Sequence, residues 1–154
     1  MSEIKIDLEL IFLNVEYIDK VEAIRGISRE MHMRGYVRKS HADAVLEREQ
    51  IFPTGIPEQG LGFAIPHADS EHIIESAIAI AVLDKPVKFN VMGSQDETSD
   101  VNFIFMLAIK KPEDHIKILG KIIGVLMSSE KADNLKMCKD KTQIGDFLKN
   151  EIIN

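Results

Sequence analysis

Two uninterrupted apolar runs constrain the fold of this 154-residue chain more than any other feature of its sequence. Residues 76–83 read Ser-Ala-Ile-Ala-Ile-Ala-Val-Leu, and residues 101–109 read Val-Asn-Phe-Ile-Phe-Met-Leu-Ala-Ile. Short continuous apolar runs that are rich in branched residues are typical of strands buried on both faces. A sheet that contains such strands requires a covering layer on each side, so helices are expected above and below it.

Helical periodicity and helix-boundary residues supply those layers. In the first helical segment Asp19 and Glu22 form a capping box, and Gly35 offers a C-terminal stop. Ser40 is the expected N-cap of the second segment, and Pro112 takes the first position of the third. The predicted helices cover residues 19–34, 40–52, 112–126, 132–137 and 142–152.

Three further stretches complete the predicted sheet. Residues 4–10 alternate apolar and charged side chains, which predicts a half-buried strand. Residues 63–65 predict a brief buried strand, and residues 87–91 a short edge strand that Asp84-Lys85-Pro86 separates from the first apolar run. The sequence therefore predicts an α/β fold, with a mixed sheet covered by helices on both faces, in a single domain over residues 1–154.

The acidic balance of the chain excludes some classes of function. Its formal net charge of -6 and pI near 5.4 disfavour a sequence-independent grip on nucleic acid, which requires a basic face. No apolar run approaches the ~20 residues of a membrane span, and the N-terminus lacks the layout of a secretory signal, so we expect a cytoplasmic protein. Cys138 is the single cysteine, and we assign it no role.

The candidate reactive residue is His67, which ends the short strand within Gly-Leu-Gly-Phe-Ala-Ile-Pro-His-Ala-Asp at residues 60–69. Pro66 cannot donate a hydrogen bond to a sheet, so strand pairing should stop there and the chain should turn outward. A histidine at such a point is held by a rigid element and still reaches solvent, as many catalytic groups do. The alternative is a structural histidine that closes a turn and bonds to the backbone.

Two other residues are candidates to act with His67. His115 falls about one turn inside a predicted helix N-terminus, where the helix dipole disfavours a charged imidazole and backbone amides can face an anion. Arg48 lies in the last turns of the second predicted helix, although Glu47 and Glu49 beside it allow a solvated charge cluster instead. The remaining histidines are expected at surface, boundary or helix-start positions: His32, His41 and His72.

The residues alone leave two chemical uses of His67 open. In the first, its neutral imidazole attacks a phosphoryl group, while Arg48 and His115 neutralise charge on the transferring oxygens. In the second, His67 and Asp69 form an H-x-D pair that binds a metal with His115 or His72 and activates water. The sequence shows no further motif that would complete such a ligand set.

A third, non-enzymatic interpretation makes residues 54–62 a docking surface and His67 a structural residue. The glycines of this loop could cradle phosphate through backbone amides, but they match no P-loop or dinucleotide spacing, and turn formation is the simpler role. They are Gly55, Gly60 and Gly62.

Several motifs resemble the enzyme IIA component of the bacterial phosphoenolpyruvate-dependent sugar phosphotransferase system, fructose/mannitol class. The resemblance covers most of the chain, and its core is Gly-Phe-Ala-Ile-Pro-His at residues 62–67, preceded by residues 46–49 and 52–56. Residues 53–55, 66–70 and 89–93 are most similar to the galactitol-type branch.

This resemblance implies a phosphocarrier. In that family the histidine of the A-[IV]-P-H motif accepts a phosphoryl group from the phosphocarrier protein HPr and passes it to a cysteine of enzyme IIB. His67 matches that histidine, Arg48 the family's arginine before the loop, and His115 its second active-site histidine. The membrane component IIC selects the sugar, and no cofactor or metal is implied. The alternative within the family is a regulatory domain whose phosphorylation is a signal.

Such a site must be open, because two different partners have to reach the same imidazole in turn. Apolar residues of the preceding loop are then candidates for a docking rim, with core packing as the alternative and the preferred one for Phe63. These candidates are Phe52, Ile56, Leu61 and Phe63.

Overall fold

The computed structural model describes residues 3–57 and 62–154. Within these residues, four strands form one sheet in the order β1-β3-β4-β2. The strands are β1 (Ile11–Val15), β2 (Phe63–Ala64), β3 (Ala77–Asn90) and β4 (Thr98–Ala108). The helices are α1 (Lys20–Met33), α2 (His41–Ile51), α3 (Pro112–Leu126), α4 (Ser129–Lys136) and α5 (Lys141–Phe147), and a π-helical segment, Leu148–Ile153, follows α5.

The sheet is mixed, which confirms the predicted α/β class. The central strands β3 and β4 are antiparallel, and each pairs in parallel with a shorter outer strand, β3 with β1 and β4 with β2. Both apolar runs lie in this centre, because residues 77–83 fall in β3 and residues 101–108 in β4. The parallel pairing of β2 with β4 places the short strand beside the buried second half of a long one.

Each face of the sheet has its own hydrophobic core. The face covered by α1 and α2 is built around Ile24, Ile27, Val45, Ala79, Ala81, Ile104 and Met106. The face covered by α3, α5 and the π-helical segment is built around Ile78, Ile80, Phe103, Phe105, Ile118, Ile122 and Ile144. The two-sided covering predicted from the apolar runs is therefore present, and helices reach the sheet from opposite sides.

The predicted first strand is displaced along the chain. Instead of a strand over residues 4–10, the structure has a 3-10 turn at Leu8–Leu10 and then β1. The side chain of Asp7 accepts a hydrogen bond from the amide of Glu9 at 2.9 Å, and this local cap favours a turn over an extended backbone. As a result Leu8 is 42% exposed instead of buried, and the predicted alternation fails at this residue. It holds at the start of the segment, where Ile4 is buried and Lys5 forms a parallel bridge with Ala77.

The predicted break after the first apolar run is also wrong. Strand β3 continues through Asp84, Lys85 and Pro86 to Asn90, so the predicted edge strand is its second half. The register with β4 shifts between Val82 and Val87, and a bulge of this kind accommodates a proline that cannot donate to the ladder.

The five predicted helices are confirmed, with two local corrections: α4 begins at Ser129 instead of residue 132, and the cap of α2 differs. Asp19 caps α1 by accepting from the amide of Glu22 at 2.9 Å, and Gly35 after the helix has a φ of 85°. Ser40 precedes α2 but makes no side-chain cap, since its hydroxyl pairs with Nδ1 of His72 at 2.8 Å. Among the described residues, no helix combines the length and hydropathy that a membrane crossing requires.

His41, expected at a boundary position, is completely buried. Its Nδ1 lies 2.7 Å from the hydroxyl of Ser28, and burial lowers its pKa from 6.5 to about 4. The unfolded chain therefore binds a proton at this residue between pH 6.5 and 4 that the folded protein excludes. The contribution of His41 to stability falls as the pH is lowered through that window.

Two glycines of the loop before β2 allow close backbone packing. A Cβ added to Gly55 would lie 2.5 Å from the carbonyl oxygen of Asn90, and one added to Gly62 would overlap the carbonyl oxygen of Asp100. Both glycines therefore permit an approach to the sheet that no other residue allows, a role different from the predicted turn formation. Gly60 and Leu61, which belong to the same predicted loop, lie outside the described residues.

We predict that Gly62→Ala lowers the free energy of unfolding by roughly 2 kcal/mol or more, because the added methyl group overlaps backbone that cannot move aside. Gly120→Ala is the matched control. A Cβ at Gly120 in α3 meets no atom within 4 Å, so this change should stabilise the protein by up to about 1 kcal/mol. Urea denaturation measures both, and equal effects of the two substitutions would contradict the packing argument.

Candidate active site

His67 lies at the edge of the sheet, directly beyond β2. Strand pairing was predicted to stop at Pro66, but it continues past this residue. The carbonyl oxygen of Pro66 accepts a hydrogen bond from the amide of Leu107 at 3.2 Å, and His67 forms an isolated parallel bridge with the same residue. A proline lacks a donor but keeps its acceptor, so the backbone of His67 remains attached to β4. The imidazole is half-buried and is carried by a rigid support.

Both ring nitrogens of His67 have protein partners. Nδ1 lies 2.8 Å from the carbonyl oxygen of Ile65, and Nε2 accepts a hydrogen bond from Nε of Arg48 at 3.0 Å. A carbonyl oxygen can only accept, so Nδ1 carries the proton, and Nε2 consequently carries the lone pair. The structure thus selects one tautomer, with the nucleophilic nitrogen directed toward Arg48.

Arg48 reaches His67 from the last turn of α2. Its guanidinium also lies 3.6 Å from the carboxylate of Asp69 and 5.3 Å from the centre of the Phe52 ring. The alternative of a solvated cluster with the neighbouring glutamates fails for Glu49, which is buried and faces the protein interior. Arg48 is therefore a cation held at the imidazole by a carboxylate and an aromatic face.

His115 approaches from the other side of the sheet. It lies in the first turn of α3, which begins at Pro112, and its ring centre is 4.4 Å from that of His67 with an angle of 53° between the rings. The three residues singled out from the sequence, Arg48, His67 and His115, therefore meet at one place although they come from three separate elements.

Both imidazoles of the pair are neutral near pH 7. Burial lowers the pKa of His67, and the positive charge of Arg48 lowers it further against the opposing hydrogen bond to Ile65. Burial, the neighbouring His67 and Arg48 together lower the pKa of His115 to about 4. A neutral His67 keeps its lone pair available, as a nucleophile requires.

The three residues open onto a depression of about 370 Å³. Its wall combines polar groups with apolar ones, namely Arg48, His67, Ala68, Asp69, Ser70, Ile109, Pro112, His115 and Ile116. Ile116 is 71% exposed and was not identified from the sequence, although its place after His115 in an amphipathic helix was a usable signal.

The residues predicted for the docking rim differ in exposure. Phe52 is 60% exposed beside Arg48, and Ile56 is half-buried. Phe63 is completely buried against Phe103 and Phe105, as its preferred core assignment predicted. Leu61 lies outside the described residues.

Three residues of the metal hypothesis, His67, Asp69 and His115, line the depression. His72 faces Ser40, and Asp69 pairs with Arg48. In the chain as described, residues 3–57 and 62–154, no group of three or more histidine, cysteine, aspartate or glutamate side chains is arranged to hold a metal ion.

Comparison with known proteins places this chain in a family. A family model described as phosphoenolpyruvate-dependent sugar phosphotransferase system, EIIA 2, matches residues 5–151. The chain belongs to this EIIA 2 family. The predicted fold and the broader resemblance are thereby confirmed.

Two relatives illustrate the range of this EIIA 2 family. Multiphosphoryl transfer protein 2 of Escherichia coli (strain K12) is 31% identical over 150 residues, which are 94% of this chain but 17% of that protein. The chain thus spans about a sixth of the length of that relative. The galactitol-specific EIIA component of the same strain is 26% identical over 140 residues, covering 91% of this chain and 92% of the relative.

Solved structures share the fold of this EIIA 2 chain. A complex of enzyme IIAMTL with phosphorylated enzyme IIBMTL from Escherichia coli has a TM-score of 0.77 at 22% identity, covering 96% of this chain and 99% of that one. The nitrogen regulatory protein IIA-Ntr from Neisseria meningitidis has a TM-score of 0.73 at 20% identity, covering 92% and 94%. At these identities the likeness shows the fold alone.

We predict that Arg48→Gln raises the pKa of both His67 and His115, because the guanidinium charge disfavours protonation of each ring. Titration of the two imidazoles by NMR, in the wild type and the variant, measures the change. The two pKa values should move upward together, and an unchanged pair of values would contradict the electrostatic role of Arg48.

Proposed function

We propose that this chain is a phosphocarrier of the sugar phosphotransferase system in which Nε2 of His67 accepts the phosphoryl group. The observation that carries the proposal is the fixed tautomer. Nδ1 is protonated against Ile65, which leaves the lone pair on Nε2, beside a guanidinium and at the wall of an open depression. An imidazole in this state is prepared for attack on phosphorus.

The transfer has two steps. In the first, one nitrogen–phosphorus bond replaces another, and in the second a sulfur–phosphorus bond replaces a nitrogen–phosphorus bond. Nε2 of His67 forms a bond to phosphorus while the bond from phosphorus to the donor histidine of phospho-HPr breaks. Nδ1 keeps its proton, and the carbonyl oxygen of Ile65 stabilises the positive ring that results. In the second step a cysteine thiolate of enzyme IIB attacks phosphorus, and the electron pair returns to Nε2.

The hydrogen bond from Arg48 to Nε2 of His67 has to break before Nε2 attacks phosphorus. This hydrogen bond is a neutral acceptor contact, whereas the oxygens of an arriving phosphoryl group offer charge-assisted acceptors. Arg48 then turns to these oxygens with little displacement, guided by Asp69 and Phe52. His115, 4.4 Å away between ring centres, is placed to donate a further hydrogen bond from its neutral ring.

The finer assignment is to the galactitol-like branch of the fructose/mannitol class. It is supported by the galactitol-specific EIIA component, whose length this chain covers to 92%. We further propose that residues 1–154 act as one EIIA type 2 domain in the cytoplasm, with HPr as donor, enzyme IIB as acceptor and IIC as the membrane component served. The known complex of enzyme IIAMTL with phosphorylated enzyme IIBMTL supports the choice of IIB.

We predict that His67→Ala abolishes labelling by phosphoenolpyruvate in the presence of enzyme I and HPr, because the substitution removes the accepting nitrogen. Arg48→Gln and His115→Asn keep the acceptor and should slow labelling by roughly 10²-fold each, the usual loss for one donor to a charged transition state. Rapid-quench labelling with radioactive phosphoenolpyruvate provides the rates.

The control variant is His32→Ala, which removes an exposed histidine of α1 outside the site and should label at the wild-type rate. Undiminished labelling of His67→Ala would reject the acceptor. Labelled wild-type protein should then lose its phosphoryl group to the cysteine of IIB. Stable retention of the label in the presence of IIB would favour a regulatory EIIA domain over a transport component.

A further inference from the structure

A buried carboxylate lies directly beneath the candidate active site. Glu49 is 3% exposed and is the neighbour of Arg48 on α2, but its side chain faces inward where that of Arg48 faces the depression. Both carboxylate oxygens accept hydrogen bonds from Thr54, Oε2 from the amide and Oε1 from the hydroxyl, each at 2.8 Å. Thr54 is itself only 4% exposed, so this is a dry polar contact.

The contact continues to His67 through the backbone. The hydroxyl of Thr54 donates its one proton to Glu49 and accepts from the amide of Ile65 at 3.1 Å. The carbonyl oxygen of Ile65 then accepts from Nδ1 of His67 at 2.8 Å. Because a carboxylate can only accept, it forces the threonine hydroxyl to point its lone pair at Ile65.

We propose that Glu49 and Thr54 are positioning residues that hold Ile65 so that its carbonyl oxygen fixes the tautomer and orientation of the His67 ring. The inference rests on the proposed phosphocarrier function of His67. Neighbouring residues of α2 then serve the two nitrogens of one imidazole, Arg48 directly at Nε2 and Glu49 at Nδ1 through Thr54 and Ile65.

The local backbone explains why such support is needed. Strand β2 ends at Ala64, and Pro66 has no amide to donate, so the amide of Ile65 is the last donor before His67. Its partner is a side chain, Thr54, and not a neighbouring strand. Residue 65 would lose this attachment without the hydroxyl, and its carbonyl oxygen would no longer be held opposite Nδ1.

Because Glu49 and Thr54 are buried, the hydrogen bonds between them depend strongly on the presence of both side chains. Burial raises the pKa of Glu49, while the hydrogen bonds from Thr54 act against that rise and favour the carboxylate. Removal of the hydroxyl takes a partner from the amide of Ile65 and from a carboxylate oxygen of Glu49, and both groups are buried, so the loss destabilises this arrangement.

The test compares Thr54→Val, which has the same shape without the hydroxyl, with Thr54→Ser, which keeps it. Thr54→Val should lower the rate of labelling by phospho-HPr by tenfold or more, and the ¹⁵N spectrum of His67 should show both neutral tautomers in place of Nδ1–H alone. Thr54→Ser should retain the wild-type rate and the single tautomer. A folded Thr54→Val with both wild-type properties would overturn the proposal.

If Thr54→Val does not fold, Glu49→Gln provides the same test. The amide nitrogen replaces one carboxylate oxygen, and this nitrogen donates and cannot accept from Thr54. Loss of the single tautomer in folded Glu49→Gln supports the proposal, and a wild-type rate and spectrum reduce the pair to a folding role. The tautomer is measured without any transfer. Failure of the wild type to accept phosphate would therefore refute the proposed function, while the NMR comparison would still decide whether these residues position the ring.

Discussion

The hydrogen bond from Nδ1 of His67 to the carbonyl oxygen of Ile65 is the interaction on which the rest of the site depends. It decides which nitrogen keeps a proton, and so which nitrogen can react. A bond over two residues of one chain would be easily broken in a loop. Here both residues are attached to the sheet or its surroundings, Ile65 through Thr54 and His67 through its bridge to Leu107. The position of the His67 ring is therefore fixed through contacts to the central part of the fold.

The two-sided covering of the sheet explains how the other groups arrive. Helix α2 packs on one face and delivers Arg48, and helix α3 packs on the opposite face and delivers His115. The two meet just beyond the end of β2, where His67 bridges to Leu107 of β4. A one-sided sheet would bring only one of these helices to the imidazole. The architecture thus supplies a cation and a second ring from independent layers.

Much of this arrangement is predictable from residue patterns, because the patterns report strong local or burial effects. The apolar runs predict the central strands, and Asp19 and Pro112 mark two helix starts correctly. The position of β1 and the continuity of β3 are not predictable in the same way. They depend on one side-chain cap at Asp7 and on pairing across a bulge. Buried polar residues such as Glu49 are also missed, since sequence gives a glutamate no sign of its direction.

Both imidazoles are neutral near pH 7, and the charge of Arg48 is balanced by the adjacent Asp69. The site therefore has almost no surplus positive field with which to trap a dianion. For the proposed carrier, this weak positive field holds the phosphoryl group less tightly than several cations would. A more cationic site would store the group; this one is suited to release it.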